Sequence, residues 1–219
     1  MTRLLVVTAV AAEADAVRAG ADPADVAVEA VGVGPAAAAA GTARLLAATP
    51  YRAVVSAGIG GGFAGRAAVG ATVLGARSIA ADLGAEAPGG FLPIERLGFG
   101  TSVLEADAEL IKALAAAHPE AVVGDILTLS TVTGTAATAA RLAERHPAAV
   151  AEAMEGYGVA TAAAAAGVPF AELRTISNPV GPRDRAAWRL GEALAALTRA
   201  AAMWDDRQSP VRVWNAGHR

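Results

Sequence analysis

The sequence contains no cysteine and only three histidines, His118, His146 and His218. The absence of cysteine excludes disulfides, thiolate metal sites and a cysteine nucleophile. His118 and His146 each precede a proline at a predicted helix end, which argues against a histidine-based metal site or a Ser-His-Asp triad. No metal site is therefore expected.

Charge is also scarce, and it forms no basic patch. Charged residues make up 18% of the 219 residues, the formal net charge is −3, and no run of lysines and arginines occurs. This pattern gives no indication of a nucleic-acid or polyanion partner. The hydrophobic fraction of 54% is enough to bury a sizeable core.

Long apolar runs are absent as well. No stretch of about 18 or more consecutive apolar residues without charge predicts a membrane span. The N-terminal segment MTRLLVVTAVAAEADA has Arg3, an apolar run and small residues, as in a weak signal peptide, but the run is short and Glu13 interrupts it. We interpret Leu4–Thr8 as a buried first strand, and we expect a cytoplasmic protein with no membrane partner.

What the sequence does contain is an alternation of short apolar segments with helix-like segments. Such an alternation predicts an α/β fold around a mostly buried central sheet, in one domain. The domain is expected to cover residues 1–204, and the polar residues 205–219 are expected to form a flexible tail. The predicted strands are Leu4–Thr8, Val26–Val31, Ala53–Ala57, Val69–Ile79, Ala121–Leu129 and Pro169–Ile176. The predicted helices are Ala11–Ala19, Pro35–Ala48, Glu105–Ala117, Thr135–Arg145, Glu152–Ala166 and Asp184–Met203.

In open α/β sheets, ligands bind beyond the carboxyl ends of the strands. Four polar or glycine-rich segments follow predicted strands: TAVAAE, which ends in Glu13, GIGGG at Gly58–Gly62, STVTGT at residues 130–135, and SNPVG at Ser177–Gly181. GIGGG would allow a ligand to approach the backbone closely, or it is a tight turn between elements. It is not the dinucleotide fingerprint, because that motif opens a helix after the first strand.

Two isolated acids lie near these segments. Glu13 comes shortly after the first strand, and Glu155 stands in AMEGYG within an otherwise apolar segment. A carboxylate in such a position is rarely buried without a partner. The alternative is that each acid is a helix-start charge that interacts with the helix dipole. If the two acids converge, they would suit water activation together with recognition of sugar hydroxyls.

The order of these segments resembles the purine nucleoside phosphorylase/hydrolase superfamily. The resemblance covers about residues 3–203 and rests on the strand followed by Glu13, then VGVGPAAAAAGTARLL, SAGIGGGFAG, VGATVLG, AMEGYGVATAAAAAGVPF and RTISNPVG. Within the superfamily the chain is most similar to the 5′-methylthioadenosine nucleosidase branch and, inside it, to the futalosine hydrolases. The resemblance implies a three-layer αβα sandwich around a mixed, partly barrel-like sheet, a homo-oligomer, and cleavage of a nucleoside N-glycosidic bond without a cofactor.

The resemblance also favours hydrolysis over phosphorolysis. Phosphorylases of this superfamily carry an early Gly-Asp-Pro-x-Arg phosphate loop, whereas this chain has TAVAAE there, without arginine. Nucleosidases have at that position a glutamate that acts on the attacking water. The resemblance therefore implies that Glu13 activates this water. In the same way, Glu155 would bind the ribose hydroxyls and Met154 would pack under the sugar. The remaining positions expected to contact the substrate are Gly60, Gly61, Val132 and Thr133.

Asn178 falls where the methylthioadenosine branch has an aspartate that contacts the purine. Hypoxanthine presents two acceptors, O6 and N7, to which an asparagine NH₂ can donate, whereas a carboxylate would be repelled by O6 unless it is protonated. Asn178 therefore predicts a 6-oxopurine nucleoside, and futalosine carries hypoxanthine. The alternative is that Asn178 only caps the turn before Pro179.

Futalosine also carries a 5′ arm that ends in an aryl carboxylate. In the loop-like segment GGFLPIERLGFG, Phe91 and Phe99 are expected to line an aryl pocket and Arg96 to meet the carboxylate, unless they are ordinary loop residues. The predicted reaction is hydrolysis of futalosine to hypoxanthine and dehypoxanthine futalosine, in menaquinone biosynthesis. The alternatives are a purine nucleoside phosphorylase, a methylthioadenosine-type nucleosidase, or a non-catalytic nucleoside-binding protein on the same fold.

Overall fold

A computed structural model describes residues 2–204 of the chain, and residues 205–219, which we predict to be a flexible tail, lie outside the described residues. Strands and helices alternate along most of the described chain. The strands are β1 (Leu4–Thr8), β2 (Val26–Ala30), β3 (Ala53–Gly62), β4 (Thr72–Ala80), β5 (Gly84–Ala87), β6 (Gly90–Pro93), β7 (Val103–Glu105), β8 (Val122–Thr128), β9 (Ala149–Ala153) and β10 (Phe170–Pro179). The helices are α1 (Ala11–Gly20), α2 (Pro35–Ala48), α3 (Ala108–Ala117), α4 (Ala136–Arg145), α5 (Gly156–Ala166) and α6 (Leu190–Ala202).

Five strands close into a ring at the centre of the sheet. β3 pairs with β10 in parallel, β10 with β4 antiparallel, β4 with β8 and β8 with β9 in parallel, and β9 with β3 antiparallel. β1 and β2 extend the sheet from β3 in parallel, and β7 pairs antiparallel with β4. The sheet is therefore mixed and partly barrel-like, as predicted.

The first strand shows how one sheet supports two helix layers. Side chains alternate between the two faces of a strand. Leu4 and Val6 pack with α1, α3 and α6, whereas Leu5 and Val7 pack with α2 and α5. Because helices cover both faces, the first four positions of the strand, Leu4 to Val7, are all apolar, and this run predicts a buried strand from the sequence. These two helix layers confirm the predicted three-layer sandwich.

Small residues let the α2–α5 layer pack closely. A Cβ atom at Gly158 would lie 2.1 Å from the carbonyl oxygen of Pro35, so no larger side chain fits where α5 meets the start of α2. The loop before α2 turns at Gly34, whose φ of +87° favours glycine. The close approach brings this loop to the N-terminus of α5, beside the site described below.

Three predicted boundaries near the strand ends are wrong. GIGGG is not a turn, because it forms the second half of β3, which continues to Gly62. The predicted helix Glu152–Ala166 begins too early, because Glu152 belongs to β9 and α5 begins only at Gly156. Pro179 is the last residue of β10 rather than a residue beyond it. In each case a neighbouring strand supplies the partner that extends the sheet.

The segment predicted as a loop around residues 89–100 also contains regular structure. β5 and β6 form a separate two-stranded sheet, and a 3₁₀ helix follows at Ile94–Leu97. The last helix begins at Leu190, after a short 3₁₀ helix at Arg185–Ala187, and not at Asp184. Across residues 2–204, no helix has the length and apolar character needed to cross a membrane.

Candidate active site

A cavity of about 260 Å³ opens beside the carboxyl ends of β1, β3 and β10. Its wall combines apolar side chains with a few polar ones, as is usual for sites that bind small molecules. The lining residues are Ala9, Val10, Glu13, Val33, Ile59, Gly60, Gly61, Val132, Thr133, Glu152, Ala153, Met154, Glu155, Ser177, Asn178, Val180 and Trp188.

Eight of the eleven predicted site residues line this cavity, although they come from five separate segments of the chain. They are Glu13, Gly60, Gly61, Val132, Thr133, Met154, Glu155 and Asn178. The order of the strands brings these segments together, while the role of each residue stays a prediction.

The three residues predicted for the aryl arm lie elsewhere. Phe91 is in β6, where the guanidinium of Arg145 from α4 stacks 4.3 Å from the centre of its ring. Phe99 is 65% exposed, and Arg96 is exposed on the 3₁₀ helix after β6. Because β5 and β6 form their own small sheet, this segment is not part of the sheet edge that lines the cavity.

Backbone donors from two elements hold Glu13 in place. This residue lies in the first turn of α1 and is 4% exposed. Its Oε2 accepts hydrogen bonds from the N–H groups of Ala9 and Val10 at 3.0 and 3.3 Å, and Oε1 accepts from Ile59 N–H at 2.9 Å. A carboxylate has about four acceptor positions, so one remains for a further donor such as water. A helix-start role alone does not explain the bond from Ile59, which ties the carboxylate to the sheet.

Glu155 is the residue before α5, yet its side chain makes no capping hydrogen bond to that helix. Its Oε1 accepts from Gly34 N–H at 3.1 Å, and its Oε2 accepts from Met154 N–H at 3.3 Å. Oε2 also lies 3.4 Å from Nη1 of Arg174. The side chain thus connects three elements, which the alternative of a simple helix-start charge does not predict.

A buried arginine that the sequence analysis does not single out links the acids. Arg174 lies in β10 with no exposed surface. Its Nε donates to Glu172 Oε1 at 3.0 Å, and its Nη2 donates to Ser56 Oγ at 2.9 Å. Burial alone would lower the pKa of this arginine, but the carboxylates of Glu172, Glu155 and Glu13 outweigh burial and raise it. The guanidinium is therefore a permanent cation among acids.

Gly58 leaves the space in which these charges meet. A Cβ atom there would lie 2.6 Å from Glu13 Oε1 and 2.8 Å from Arg174 Nη1, closer than real contacts allow. A glycine inside a strand often marks such a close approach. We call Glu13, Glu155 and Arg174 the acid–arginine cluster.

The other end of the cavity is built around Gly61. β9 places Glu152 opposite Gly61 on one side, and β10 places Asn178 opposite it on the other. We call these three residues the cross-strand row. Asn178 Oδ1 accepts from Ser177 Oγ at 2.7 Å, and Nδ2 donates to the carbonyl oxygen of Pro179 at 2.9 Å. One of the two N–H groups predicted for the base is therefore engaged in this conformation, and the other is available.

Glu152 is an acid of the cavity wall that the sequence analysis misses. It is 6% exposed, its Oε1 accepts from Thr133 N–H at 2.8 Å, and its Oε2 is hydrogen-bonded to Thr133 Oγ1 at 2.5 Å. Thr133 is predicted to contact the substrate, but its backbone N–H is engaged with Glu152. Burial raises the pKa of Glu152, although the bonds from Thr133 act in the opposite direction.

Different signals could have revealed the missed residues. Glu172 and Arg174 are two positions apart in β10, so they share a face of a buried strand, and a paired acid and base there indicates an internal ion pair. Glu152 requires recognition of β9 as a strand. Trp188 lines the cavity after the second 3₁₀ helix, and no local pattern marks it.

In residues 2–204, the charged side chains that line the cavity are the acids Glu13, Glu152 and Glu155. Among residues 2–204, no group of three or more histidine, aspartate and glutamate side chains is arranged to hold a metal ion. In the same part of the chain, no lysine or arginine belongs to the lining of the cavity.

Comparison with known proteins identifies the family. The model of the phosphorylase superfamily matches residues 15–203, and the chain belongs to this superfamily. It is 63% identical to the futalosine hydrolase of Streptomyces coelicolor over 176 residues, which cover 78% of this chain and 74% of the relative. It is 47% identical to the futalosine hydrolase of Acidothermus cellulolyticus over 218 residues, which cover 90% of this chain and 88% of the relative. Within the superfamily, the chain belongs to the futalosine hydrolase family.

Solved structures agree with this fold. The 5′-methylthioadenosine/S-adenosylhomocysteine nucleosidase of Neisseria meningitidis, in complex with methylthio-immucillin-A, has a TM-score of 0.81 at 18% identity, covering 93% of this chain and 98% of that one. The futalosine hydrolase of Helicobacter pylori has a TM-score of 0.80 at 17% identity, covering 94% and 98%. At these identities the likeness concerns the fold alone, and it confirms the predicted nucleoside phosphorylase-like architecture.

Proposed function

We propose that the chain hydrolyses the N-glycosidic bond of futalosine, releasing hypoxanthine and dehypoxanthine futalosine, in menaquinone biosynthesis. The observation that carries this proposal is a single cavity that holds Glu13, Glu155 and Asn178. The identity to futalosine hydrolases of two bacteria supports the choice of substrate.

Glu13 is the residue proposed to act on water. Cleavage of a ribosyl C–N bond passes through an oxocarbenium-like state, which water attacks at the anomeric carbon. Three backbone N–H groups already fix the carboxylate, so it needs little rearrangement to orient and deprotonate that water. Such acid–base assistance contributes a factor of about 10²–10⁴ in rate.

Glu155 is proposed to bind the ribose, with Met154 packing under the sugar. The ribose hydroxyls donate hydrogen bonds to the Glu155 carboxylate, which Gly34 and Arg174 hold from behind. Two acids in one buried site repel each other, and the cation of Arg174 offsets that repulsion. The cluster thus places two carboxylates beside the position where positive charge develops on the sugar.

Asn178 is proposed to donate its available N–H to the hypoxanthine at the O6 and N7 edge. Negative charge develops on the base as it leaves, and a donor at this edge stabilises that charge. Gly60 and Gly61 let the ring approach the strand, and Val132 and Thr133 lie along it. Trp188 adds an aromatic face to the same wall.

The composition of the wall favours water over phosphate as the nucleophile. In the described residues the lining provides no lysine or arginine, whereas it does provide the carboxylates of Glu13 and Glu155. Phosphate would meet negative charge without a cation to compensate it. Arg174 does not serve that purpose, because it is fully buried and engaged with Glu172, Ser56 and Glu155.

We further infer a homo-oligomer that works in the cytoplasm. Phe99 is 65% exposed at the end of the segment that follows the β5–β6 hairpin, and aromatic residues are enriched in protein–protein interfaces. The lack of cysteine is compatible with a reducing compartment.

A substrate panel tests the proposed function. Purified protein is incubated with futalosine, inosine and methylthioadenosine, each with and without phosphate, and the released base is measured by chromatography. We expect free hypoxanthine from futalosine at a rate that does not depend on phosphate. A strict phosphate requirement would contradict hydrolysis, preferred cleavage of methylthioadenosine would contradict the base assignment, and tight hypoxanthine binding without turnover would indicate the non-catalytic alternative.

A further inference from the structure

Glu152 is a buried acid in the cavity wall that the proposed mechanism does not use. In that mechanism Glu13 activates the attacking water and Glu155 binds the ribose hydroxyls. Glu152 lies in β9, and its carboxylate is hydrogen-bonded to Thr133. Glutamate side chains are rarely buried unless their carboxylates have partners, and Glu152 is only 6% exposed. Its position in the wall therefore calls for a substrate group that it could bind.

The pairing of the strands puts Glu152 and Asn178 on either side of one glycine. Both residues are cross-strand partners of Gly61: Glu152 points to the same face as its antiparallel partner, and Asn178 follows a bulge in β10. A Cβ atom at Gly61 would lie 3.4 Å from Nδ2 of Asn178, which shows that this face carries the amide. Two strand spacings, about 10 Å in all, separate the Cα atoms of Glu152 and Asn178. Gly61 itself adds no side chain between them, although Cγ2 of Val180, which would lie 3.1 Å from a Cβ atom there, fills the space directly above the glycine.

The strand direction also separates this row from the acid–arginine cluster. Gly58 and Gly61 are three residues apart in β3, about 10 Å along a strand. Because β9 runs antiparallel to β3, Glu152 lies opposite Gly61, and the chain then returns toward Gly58, where Glu155 contacts Arg174. Gly58 and Gly61 point to opposite faces of β3, but Glu13, Glu155, Glu152 and Asn178 all line one cavity, so a nucleoside whose sugar lies at the cluster can place its base at the row.

We propose that Glu152 reads the purine base by accepting a hydrogen bond from N1–H of hypoxanthine, beside the contact that Asn178 makes. This inference rests on the proposed function, because it takes the base of the futalosine substrate as the ligand. Hypoxanthine presents the acceptor O6 next to the donor N1–H. A donating amide and an accepting carboxylate match this pair, and adenine, with a donating 6-amino group and an accepting N1, presents the reverse pattern.

The carboxylate has the capacity for this bond. Each oxygen of Glu152 is bonded once by Thr133, so about two of its four acceptor positions remain. Burial raises the pKa of Glu152, and an N–H donor from the base would favour the charged form that accepts it. The unshared electron pair at N1 of adenine would instead face the carboxylate oxygen and be repelled.

Base titrations with the variant Glu152→Gln test the proposal. Glutamine keeps both contacts with Thr133, because its oxygen can accept from the backbone N–H and its NH₂ can donate to the hydroxyl. The remaining amide hydrogen then faces the position of N1–H. Calorimetric titration should show that wild-type protein binds hypoxanthine more tightly than adenine. The variant should lose about tenfold to a hundredfold in affinity for hypoxanthine and less for adenine.

A second measurement needs no variant. 1-Methylhypoxanthine keeps O6 and N7 but lacks the N1–H group, so wild-type protein should bind it at least tenfold more weakly than hypoxanthine. In Glu152→Gln that difference should shrink. The control is Glu144→Gln, which changes an exposed glutamate of α4 and should leave all three affinities unchanged.

Several outcomes would overturn the proposal. They are equal losses for hypoxanthine and adenine in the variant, full wild-type affinity for 1-methylhypoxanthine, or no binding of either base to wild-type protein. Base binding does not require turnover, so the two proposals fail separately. Absence of futalosine hydrolysis in the substrate panel would refute the proposed function, while the titrations would still decide whether Glu152 reads N1–H.

Discussion

The acid–arginine cluster and the cross-strand row share one cavity but hold their polar groups in different ways. In the cluster, Glu13 and Glu155 accept hydrogen bonds from β3, from the loop before α2 and from Arg174, so distant parts of the chain fix each carboxylate. In the row, Asn178 bonds to the two residues beside it in the chain, and Glu152 bonds to one threonine. The cluster is nearly saturated with protein partners, whereas the row retains free donors and acceptors.

This difference matches what each end of the cavity must do. Transition-state charge is stabilised most effectively by groups that are already in place. Discrimination between bases instead requires polar groups whose remaining hydrogen bonds only the correct substrate completes. We therefore expect substitutions in the cluster to slow all nucleosides alike, and substitutions in the row to change the preference between bases.

The largest expected effect is that of Glu13→Gln in the cluster. The amide cannot take the proton of the attacking water, so kcat should fall by about 10²–10⁴-fold. The fall should be equal for futalosine and for its counterpart with adenine in place of hypoxanthine. The NH₂ of glutamine would also face a backbone N–H group, which costs about 1–3 kcal/mol of unfolding free energy. Single-turnover kinetics and thermal unfolding measure the two effects.

The matched control for this variant is Asp15→Asn on the same helix. The side chain of Asp15 is 72% exposed and pairs with Arg18 on the surface. Its loss should leave kcat unchanged and stability within about 1 kcal/mol of wild type. A near wild-type rate for Glu13→Gln, or an equal loss in the control, would remove Glu13 from the proposed mechanism.

A smaller and more selective effect is expected for Asn178→Asp in the row. The new carboxylate faces O6 of hypoxanthine and the carbonyl oxygen of Pro179, both of which are acceptors. We expect kcat/KM for futalosine to fall by about tenfold to a hundredfold, and the adenine counterpart to lose less or to gain. Asn178→Ala removes the donor without adding charge, so it should slow futalosine without favouring adenine. An unchanged ratio between the two substrates in Asn178→Asp would contradict the amide argument.

Sequence reasoning finds two of the three residues at each end of the cavity: Glu13 and Glu155 in the cluster, and Gly61 and Asn178 in the row. Glu13 and Glu155 stand out because each is an isolated acid beside apolar segments, and ligand sites of α/β folds gather at the ends of strands. Alternation of apolar strands and helices likewise predicts an α/β fold around a buried sheet, and the family resemblance implies the sandwich. The partners of Arg174 on other elements, Ser56 and Glu155, depend on strand pairing, and only Glu172, two positions before it in β10, gives a local signal.

The three residues of the cross-strand row are brought together by pairing between strands that are distant in sequence. GIGGG has the composition of a turn, but β9 and β10 lie on either side of it and supply the hydrogen bonds of a strand. The segment AVAEA of β9 is short and runs almost directly into α5, so its period does not separate it from a helix. Merging the two elements hides Glu152. The prediction for Phe91, Phe99 and Arg96 rests on loop composition, which contains no information on how the β5–β6 hairpin is oriented.

Two matched hydroxyl deletions, Ser56→Ala and Thr133→Val, provide the finest comparison of the two ends. Ser56 accepts a bond from Arg174 in the cluster, and Thr133 bonds to Glu152 beside Gly61. Each deletion should reduce transition-state stabilisation by about 0.5–1.5 kcal/mol, which lowers kcat/KM by up to about tenfold. In Ser56→Ala the loss should be the same for futalosine and its adenine counterpart, because Arg174 supports the sugar end that both share. In Thr133→Val the backbone N–H still holds Glu152, but the carboxylate is less constrained, so the preference for hypoxanthine should weaken. Steady-state kinetics on both substrates decide the matter, and identical substrate ratios in the two variants would mean that the cavity has no separate base-reading end.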